Sequence, residues 1–260
     1  MSTSPSSLDT PLSLAKISAW AVHLYTAMGL VIAGSIIYCL VSDDPDRFHQ
    51  AFVLMLVATI IDATDGFFAR KVRVKEVLPG FDGRRLDDIT DFLNYTFLPL
   101  FLIYEAGLLP AGQQAWLFVP LVASAYGFCQ VSAKTDDGFF LGFPSYWNLV
   151  AFYLYAMQPP GWVTVALLMI LSLLTFIPMR YLYPSQPGRL NRLSLLLGAV
   201  WAILLVLILW VARDEPLHNG RGRSLTNVSL FYPVYYLLAS WIVSARYWHA
   251  RRLKQRGLEP

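Results

Sequence analysis

Apolar residues in this chain come in eight runs close to membrane-spanning length, broken by charged or Pro- and Gly-containing stretches: Ile17 to Val41, Phe48 to Ala69, Gly83 to Ala106, Ala115 to Ala133, Pro144 to Met157, Trp162 to Ile177, Leu193 to Ala212 and Val228 to Ser244. A helix rises about 1.5 Å per residue, so about 20 apolar residues cross a hydrocarbon layer about 30 Å thick. Composition agrees. The chain is 56% hydrophobic and 14% charged, against roughly a quarter charged in soluble domains, and it lacks the polar residues to coat a surface in water. An all-α, polytopic integral membrane protein is expected. A soluble enzyme, a disordered tail and a disulfide-stapled secreted domain are excluded.

The fifth run is the weak one. Its fourteen residues rise only about 21 Å, so it must be extended by Phe139 to Phe143 or be partly re-entrant. Pro144 suits a first helical turn, and Pro159 with Pro160 ends the segment. Counting it as a crossing puts sixteen lysines and arginines on one side of the membrane and four on the other. Deleting it destroys that bias, so eight spans with both termini cytoplasmic are predicted. The first fifteen residues contain no Lys or Arg, and no cleaved signal peptide is read there. A net charge of +3, scattered along the chain, does not argue for nucleic acid. Cys39 and Cys129 lie inside apolar runs without metal or disulfide spacing and read as small buried hydrophobes.

Four carboxylates sit where lipid should not tolerate them. Asp62, Asp65, Gly66 and Ala69 share one face of the second span; Gly83, Asp87, Asp91 and Asn94 make a matching face on the third. The short linker predicts antiparallel neighbours whose faces meet near the cytoplasmic surface. An Asp at mid-membrane costs roughly 2.5–3.5 kcal/mol, less near an interface, and four facing one another add repulsion. Divalent cations remove that repulsion, and carboxylate oxygens are the ligands that Mn²⁺ or Mg²⁺ prefers. The small residues then let a bulky anionic ligand approach, with Arg70 placed to contact its phosphate. Nearby acids have plainer readings. Asp82 starts a helix, Asp88 pairs with Arg84 or Arg85, and Asp43, Asp44 and Asp46 are solvated turn residues beside Pro45.

The residues Asp62-x2-Asp65-Gly66-x2-Ala69-Arg70, then Gly83-x3-Asp87-x3-Asp91, resemble the signature of the CDP-alcohol phosphotransferase family at every specified position. Twelve residues separate Arg70 from Gly83, a spacer longer than most members carry and similar to that of a bacterial branch whose acceptor is choline. Ala19 to His23, Ala125 to Phe128 and Phe139 to Asn148 are also similar to that branch. The resemblance implies that Asp62, Asp65, Asp87 and Asp91 hold one or two metal ions, Mn²⁺ or Mg²⁺, with Asp91 also the general base. It implies that the CDP moiety of CDP-diacylglycerol is received by Asp62, Asp65, Gly66, Ala69, Arg70, Gly83 and Asp87. The implied reaction is attack of the choline hydroxyl on the diacylglycerol-linked phosphorus with release of CMP, in the inner membrane of a bacterium. The whole chain, 1–260, then reads as one transmembrane domain, with spans one to six (17–177) as catalytic core and spans seven and eight (193–244) as an addition; the resemblance also allows a homodimer.

Choline's quaternary ammonium has no N–H, so aromatic faces are its natural holders. Tyr126, Tyr146 and Trp147 are the candidates, with Asp136 or Asp137 as an anionic partner. Lipid-facing or packing roles compete at each of these positions. His23 and Thr26 share one face of the first span, where they either touch the nucleotide or bond a neighbouring helix. Lys134, Arg180 and Arg189 lie at the cytoplasmic level and suit either a lipid phosphate or positive-inside anchoring. His49, His218 and His249 form no ligand spacing. Two rivals stay open: another acceptor alcohol (glycerol 3-phosphate, serine or inositol), and a cation transporter, since intramembrane carboxylates also mark ion paths.

Overall fold

A computed structural model describes residues 13–131, 135, 139–182, 189–212, 217 and 219–255, without the side chains of residues 189, 190 and 254. Lys134, Asp136, Asp137, His218 and the side chain of Arg189 lie outside the described part. Four stretches are long and apolar enough to cross a membrane: Leu14–Leu40, Arg47–Val72, Asn191–Val211 and Gly220–Leu253. Gln114–Cys129 and Gly161–Phe176 are shorter apolar helices. The protein is an all-α membrane protein, and its chain forms two compact units, residues 1–94 and 95–260.

The first unit is built on α1 (Leu14–Leu40) and α2 (Arg47–Val72). Ser13 caps α1, its hydroxyl accepting from the Lys16 N–H at 3.3 Å. Between the helices, Asp44 accepts hydrogen bonds from the Asp46 N–H (2.8 Å) and the Gln50 side chain (2.9 Å). These bonds hold its exposed carboxyl below the usual aspartate range. The turn reading of this acidic loop is therefore apt. Arg73, left-handed at φ 54°, closes α2 by donating its N–H to the last carbonyls.

The spacer that follows is more than a linker. Val74–Val77 forms a helical turn, α3, and Val74 is buried with Ala19 and Val22 of α1, with Ala69, Val72, Val77 and Leu78 packed around them. Asp82 then caps α4 (Gly83–Asp91), Oδ1 accepting the Arg85 N–H at 3.2 Å, while its Oδ2 pairs with Arg85 Nε at 3.1 Å. Arg85, one of the two partners expected for Asp88, is thus engaged by Asp82, one turn before it. The capping carboxylate is already oriented toward that first turn.

A π-helix, Phe92–Phe97, leads into α5 (Leu98–Glu105). Pro99 cannot donate to the carbonyl four residues back, and the turn ahead of it widens. The second unit continues through a 3₁₀ turn (Gln114–Leu117), α6 (Phe118–Cys129), β1 (Phe139–Leu141), α7 (Trp147–Met157), α8 (Gly161–Phe176), β2 (Arg180–Leu182), α9 (Arg189–Val211), α10 (Gly220–Ser229) and α11 (Phe231–Gln255).

Two expectations about the fifth span fail here. Phe139 to Phe143 does not extend the helix, because β1 pairs antiparallel with β2, Phe140 opposite Tyr181. Pro144 precedes the helix instead of opening it, since α7 starts at Trp147. Gly142 turns the chain out of the strand, and Ser145, left-handed at φ 54°, precedes the helix start. The φ of Gly142 is +82°, and a Cβ there would run into the Thr175 carbonyl, so only glycine fits the bend that closes the ribbon. The outer edge of β2 is satisfied by α11: Ser244 and Ser240 accept the Arg180 and Leu182 N–H groups at 3.1 Å each, and the Tyr236 hydroxyl donates to the Leu182 carbonyl at 3.0 Å. Positions 236, 240 and 244 lie one helical turn apart, which lets one helix face serve a strand edge that lipid could not.

Candidate active site

All eight signature residues fall in the first unit. Asp62, Asp87 and Asp91 each bring a carboxylate oxygen to within 4.8 Å of the other two, and all three are half-buried. At an effective dielectric of about 20, charges this close repel by roughly 3 kcal/mol per pair. The two motif faces meet at these carboxylates, as the helical spacing predicts. Both α2 and α4 pack along α1, and their own approach is slighter. Small residues let α1 in: Gly29 lies against Thr90, and Gly83 against His23.

The fourth aspartate stands differently. Asp65 is buried at 7% exposure, and its Oδ2 accepts the Thr26 hydroxyl at 2.8 Å. Its other oxygen has no hydrogen bond among the described residues. One neutral donor is poor compensation for a buried carboxylate, which calls for a positive partner. A donor set made only of carboxylate oxygens suits a hard divalent cation, so Asp62, Asp87 and Asp91 fit the metal that the signature implies, while Asp65 stands outside their close group.

The remaining signature residues divide between open space and packing. Among the described residues, the only group near a Cβ added at Gly66 would be Arg70 Nη1, at 3.3 Å, so the guanidinium of exposed Arg70 folds back over this glycine. Ala69 packs against the Ala19, Val22 and Val74 cluster. At Gly83 a Cβ would lie 2.5 Å from His23 Cε1, so this glycine is needed for helix approach whatever else it receives. His23 is itself enclosed, its ring 4.4 Å from Phe81 and 5.8 Å from Trp20, centroid to centroid. Thr26, not His23, makes the interhelical hydrogen bond.

Sequence reasoning passed over Trp20, Phe81, Gly29 and the role of Asn94, whose amide donates to the carbonyls of Gly29 (3.1 Å) and Thr90 (2.9 Å). The available signal was spacing: Gly29 follows Thr26, and Thr26 follows His23, at three-residue steps on one helix face.

The three choline candidates are all in the second unit. Tyr126 is exposed on α6 with its ring 4.8 Å from Phe176. Tyr146, half-buried, stands edge-on to Tyr236 at 6.2 Å. Trp147 is fully buried, its Nε1–H donating to Ser124 at 2.7 Å and its ring edge-on to Phe143. With its N–H partnered inside the unit, the Trp147 ring serves packing there as well. Arg180 lies over the rings of Tyr247 (3.5 Å) and Phe139 (5.2 Å), an anchored cation of the kind found at membrane interfaces.

Residues 21–136, which contain the whole signature, match the CDP-alcohol phosphatidyltransferase family. The chain is 39% identical to a phosphatidylcholine synthase of Pseudomonas aeruginosa, over 75% of its length and 80% of that protein. It is 38% identical to one of Agrobacterium fabrum (73% and 78% covered) and 31% identical to one of Borreliella burgdorferi (86% and 93%). The chain belongs to the CDP-alcohol phosphatidyltransferase family. It is a membrane-embedded phosphatidyltransferase.

Proposed function

We propose that this enzyme transfers the phosphatidyl group of CDP-diacylglycerol to choline, forming phosphatidylcholine and releasing CMP. The observation that carries the reading is the convergence of Asp62, Asp87 and Asp91 within a complete family signature, in a chain whose relatives are phosphatidylcholine synthases over most of their length.

Asp62, Asp65, Asp87 and Asp91 would hold Mn²⁺ or Mg²⁺, which supplies charge neutralisation at the diphosphate oxygens and so makes CMP a better leaving group. Gly66 leaves room beside the diphosphate, Arg70 adds a second positive contact, and Ala69, Gly83 and Asp87 complete the nucleotide side. The choline oxygen attacks the phosphorus bonded to diacylglycerol, its proton passes to the Asp91 carboxylate, and the bond from that phosphorus to the CMP oxygen breaks. Tyr126, Tyr146 and Trp147 are the candidates for the trimethylammonium group. We place the reaction at the cytoplasmic face of a bacterial inner membrane, in a chain crossing eight times with both termini cytoplasmic. Residues 17–177 are the catalytic core and residues 193–244 an addition to it.

Purified full-length protein is given CDP-diacylglycerol, Mn²⁺ and radiolabelled choline, and CMP and labelled lipid are measured. Both are expected to appear together and to vanish with chelator. Turnover with serine, inositol or glycerol 3-phosphate in place of choline, or undiminished turnover after chelation, would overturn the reading.

A further inference from the structure

The first helix packs against both helices that carry the signature, and one of its side chains is bonded to a signature carboxylate. A helical threonine usually turns its hydroxyl back to a carbonyl of the preceding turn. Thr59, Thr64 and Thr90 do so here, at 2.9, 2.7 and 2.8 Å. Thr26 departs from this habit. Its hydroxyl is 3.4 Å from the Val22 carbonyl but 2.8 Å from Asp65 Oδ2. A hydroxyl has one proton to give, and the shorter contact to a buried carboxylate takes it.

The neighbours of Thr26 hold it there. One step earlier on the same face, His23 is wedged against Gly83; one step later, Gly29 is in contact with Thr90 and accepts from Asn94. Beside it, the Tyr25 hydroxyl is bonded to the Thr64 hydroxyl at 2.8 Å. α1 is thereby pinned against α2 and α4, and the Thr26 hydroxyl has a defined position relative to Asp65. A carboxylate with one oxygen held this way presents the other in a fixed direction.

Resting on the metal reading above, we propose that Thr26 is a positioning residue for the divalent-cation site: its hydroxyl orients Asp65 so that the remaining carboxylate oxygen is presented to the ion held with Asp62, Asp87 and Asp91. Outer partners of this kind typically change metal affinity by about 10- to 100-fold when removed. Thr26→Val keeps the shape and deletes the donor.

The test measures Mn²⁺ binding directly, by the loss of the free-ion electron paramagnetic resonance signal, on detergent-solubilised full-length protein without substrates. Wild type is compared with Thr26→Val, Thr26→Ala, Thr26→Ser and Asp65→Asn, with Tyr25→Phe as a control that breaks the adjacent interhelical bond without touching a carboxylate. Circular dichroism confirms the folded state of each variant. Thr26→Val and Thr26→Ala are expected to weaken Mn²⁺ binding about tenfold or more, while Thr26→Ser and Tyr25→Phe retain wild-type affinity. Adding Thr26→Val to Asp65→Asn is expected to change nothing further, since the hydroxyl acts only through that carboxylate. If wild type binds Mn²⁺ and both donor-deleting variants bind it equally well, the positioning role is wrong and the metal reading survives. If Thr26→Ser or Tyr25→Phe weakens binding as much as Thr26→Val, the effect belongs to helix packing and the proposal falls. Absence of Mn²⁺ binding in wild type would sink the metal reading and this inference with it.

Discussion

Gly83→Ala is the substitution whose consequence follows most directly from the coordinates. An alanine Cβ at this position would stand 2.5 Å from His23 Cε1 and 3.0 Å from Nδ1, whereas carbon atoms settle at about 3.5–4.0 Å. Roughly 1 Å must therefore be found. The imidazole cannot supply it by swinging aside, because Phe81 and Trp20 stand around it at centroid distances of 4.4 and 5.8 Å. The start of α4 has to move away from α1, at a cost of about 1–3 kcal/mol for overpacking. Alanine's better helix propensity recovers less than about 1 kcal/mol, since Gly83 is the first residue of its helix. Asp87 lies one turn further on, so the same shift opens the carboxylate group. A displacement near 1 Å at a reacting centre lowers turnover by about 100-fold. Thermal unfolding of the full chain in detergent and CMP release from CDP-diacylglycerol are the two assays. Both should fall in Gly83→Ala, and both should partly recover in His23→Ala/Gly83→Ala, where the obstruction is gone. A variant that unfolds at the wild-type temperature, with only the KM for CDP-diacylglycerol raised, would show that the glycine serves the nucleotide and that the steric reasoning is wrong.

Trp147→Ala removes a fully buried ring and its hydrogen bond to the Ser124 hydroxyl; it should lose about 3–5 kcal/mol of stability in thermal unfolding. Unchanged stability with a raised choline KM would show that this ring serves the acceptor and not the packing. Gly142→Ala forces a left-handed backbone on a residue with a side chain and drives it into the Thr175 carbonyl. It should sharply reduce the yield of folded protein on size-exclusion chromatography, and wild-type yield would contradict the ribbon geometry.

Spanning helices and the acidic signature were legible without coordinates because both are properties of short windows. Runs of apolar residues report their solvent directly, and Asp62 with Asp65, or Asp87 with Asp91, share a face by helical periodicity alone. The start of α4 at Asp82 and the end of α7 before Pro159 could also be read, because caps and prolines act within one turn. None of this says which helix lies beside which. Two faces that each carry two carboxylates look complementary in sequence and do meet, but the periodicity does not show that α1 packs against both helices, with Gly29 and Gly83 permitting its close contact with α4. That choice gave Asp65 its Thr26 partner, a pairing 39 residues apart in the chain. The same limit explains Trp147 and the ribbon. A tryptophan faces lipid, ligand or core according to where its N–H finds an acceptor, and Ser124 is 23 residues away. The strand Phe139–Leu141 exists only because Arg180–Leu182 arrives to pair with it and α11 supplies hydroxyls for the outer edge. Local pattern decides what each segment can be, and packing between distant segments decides which side chains meet.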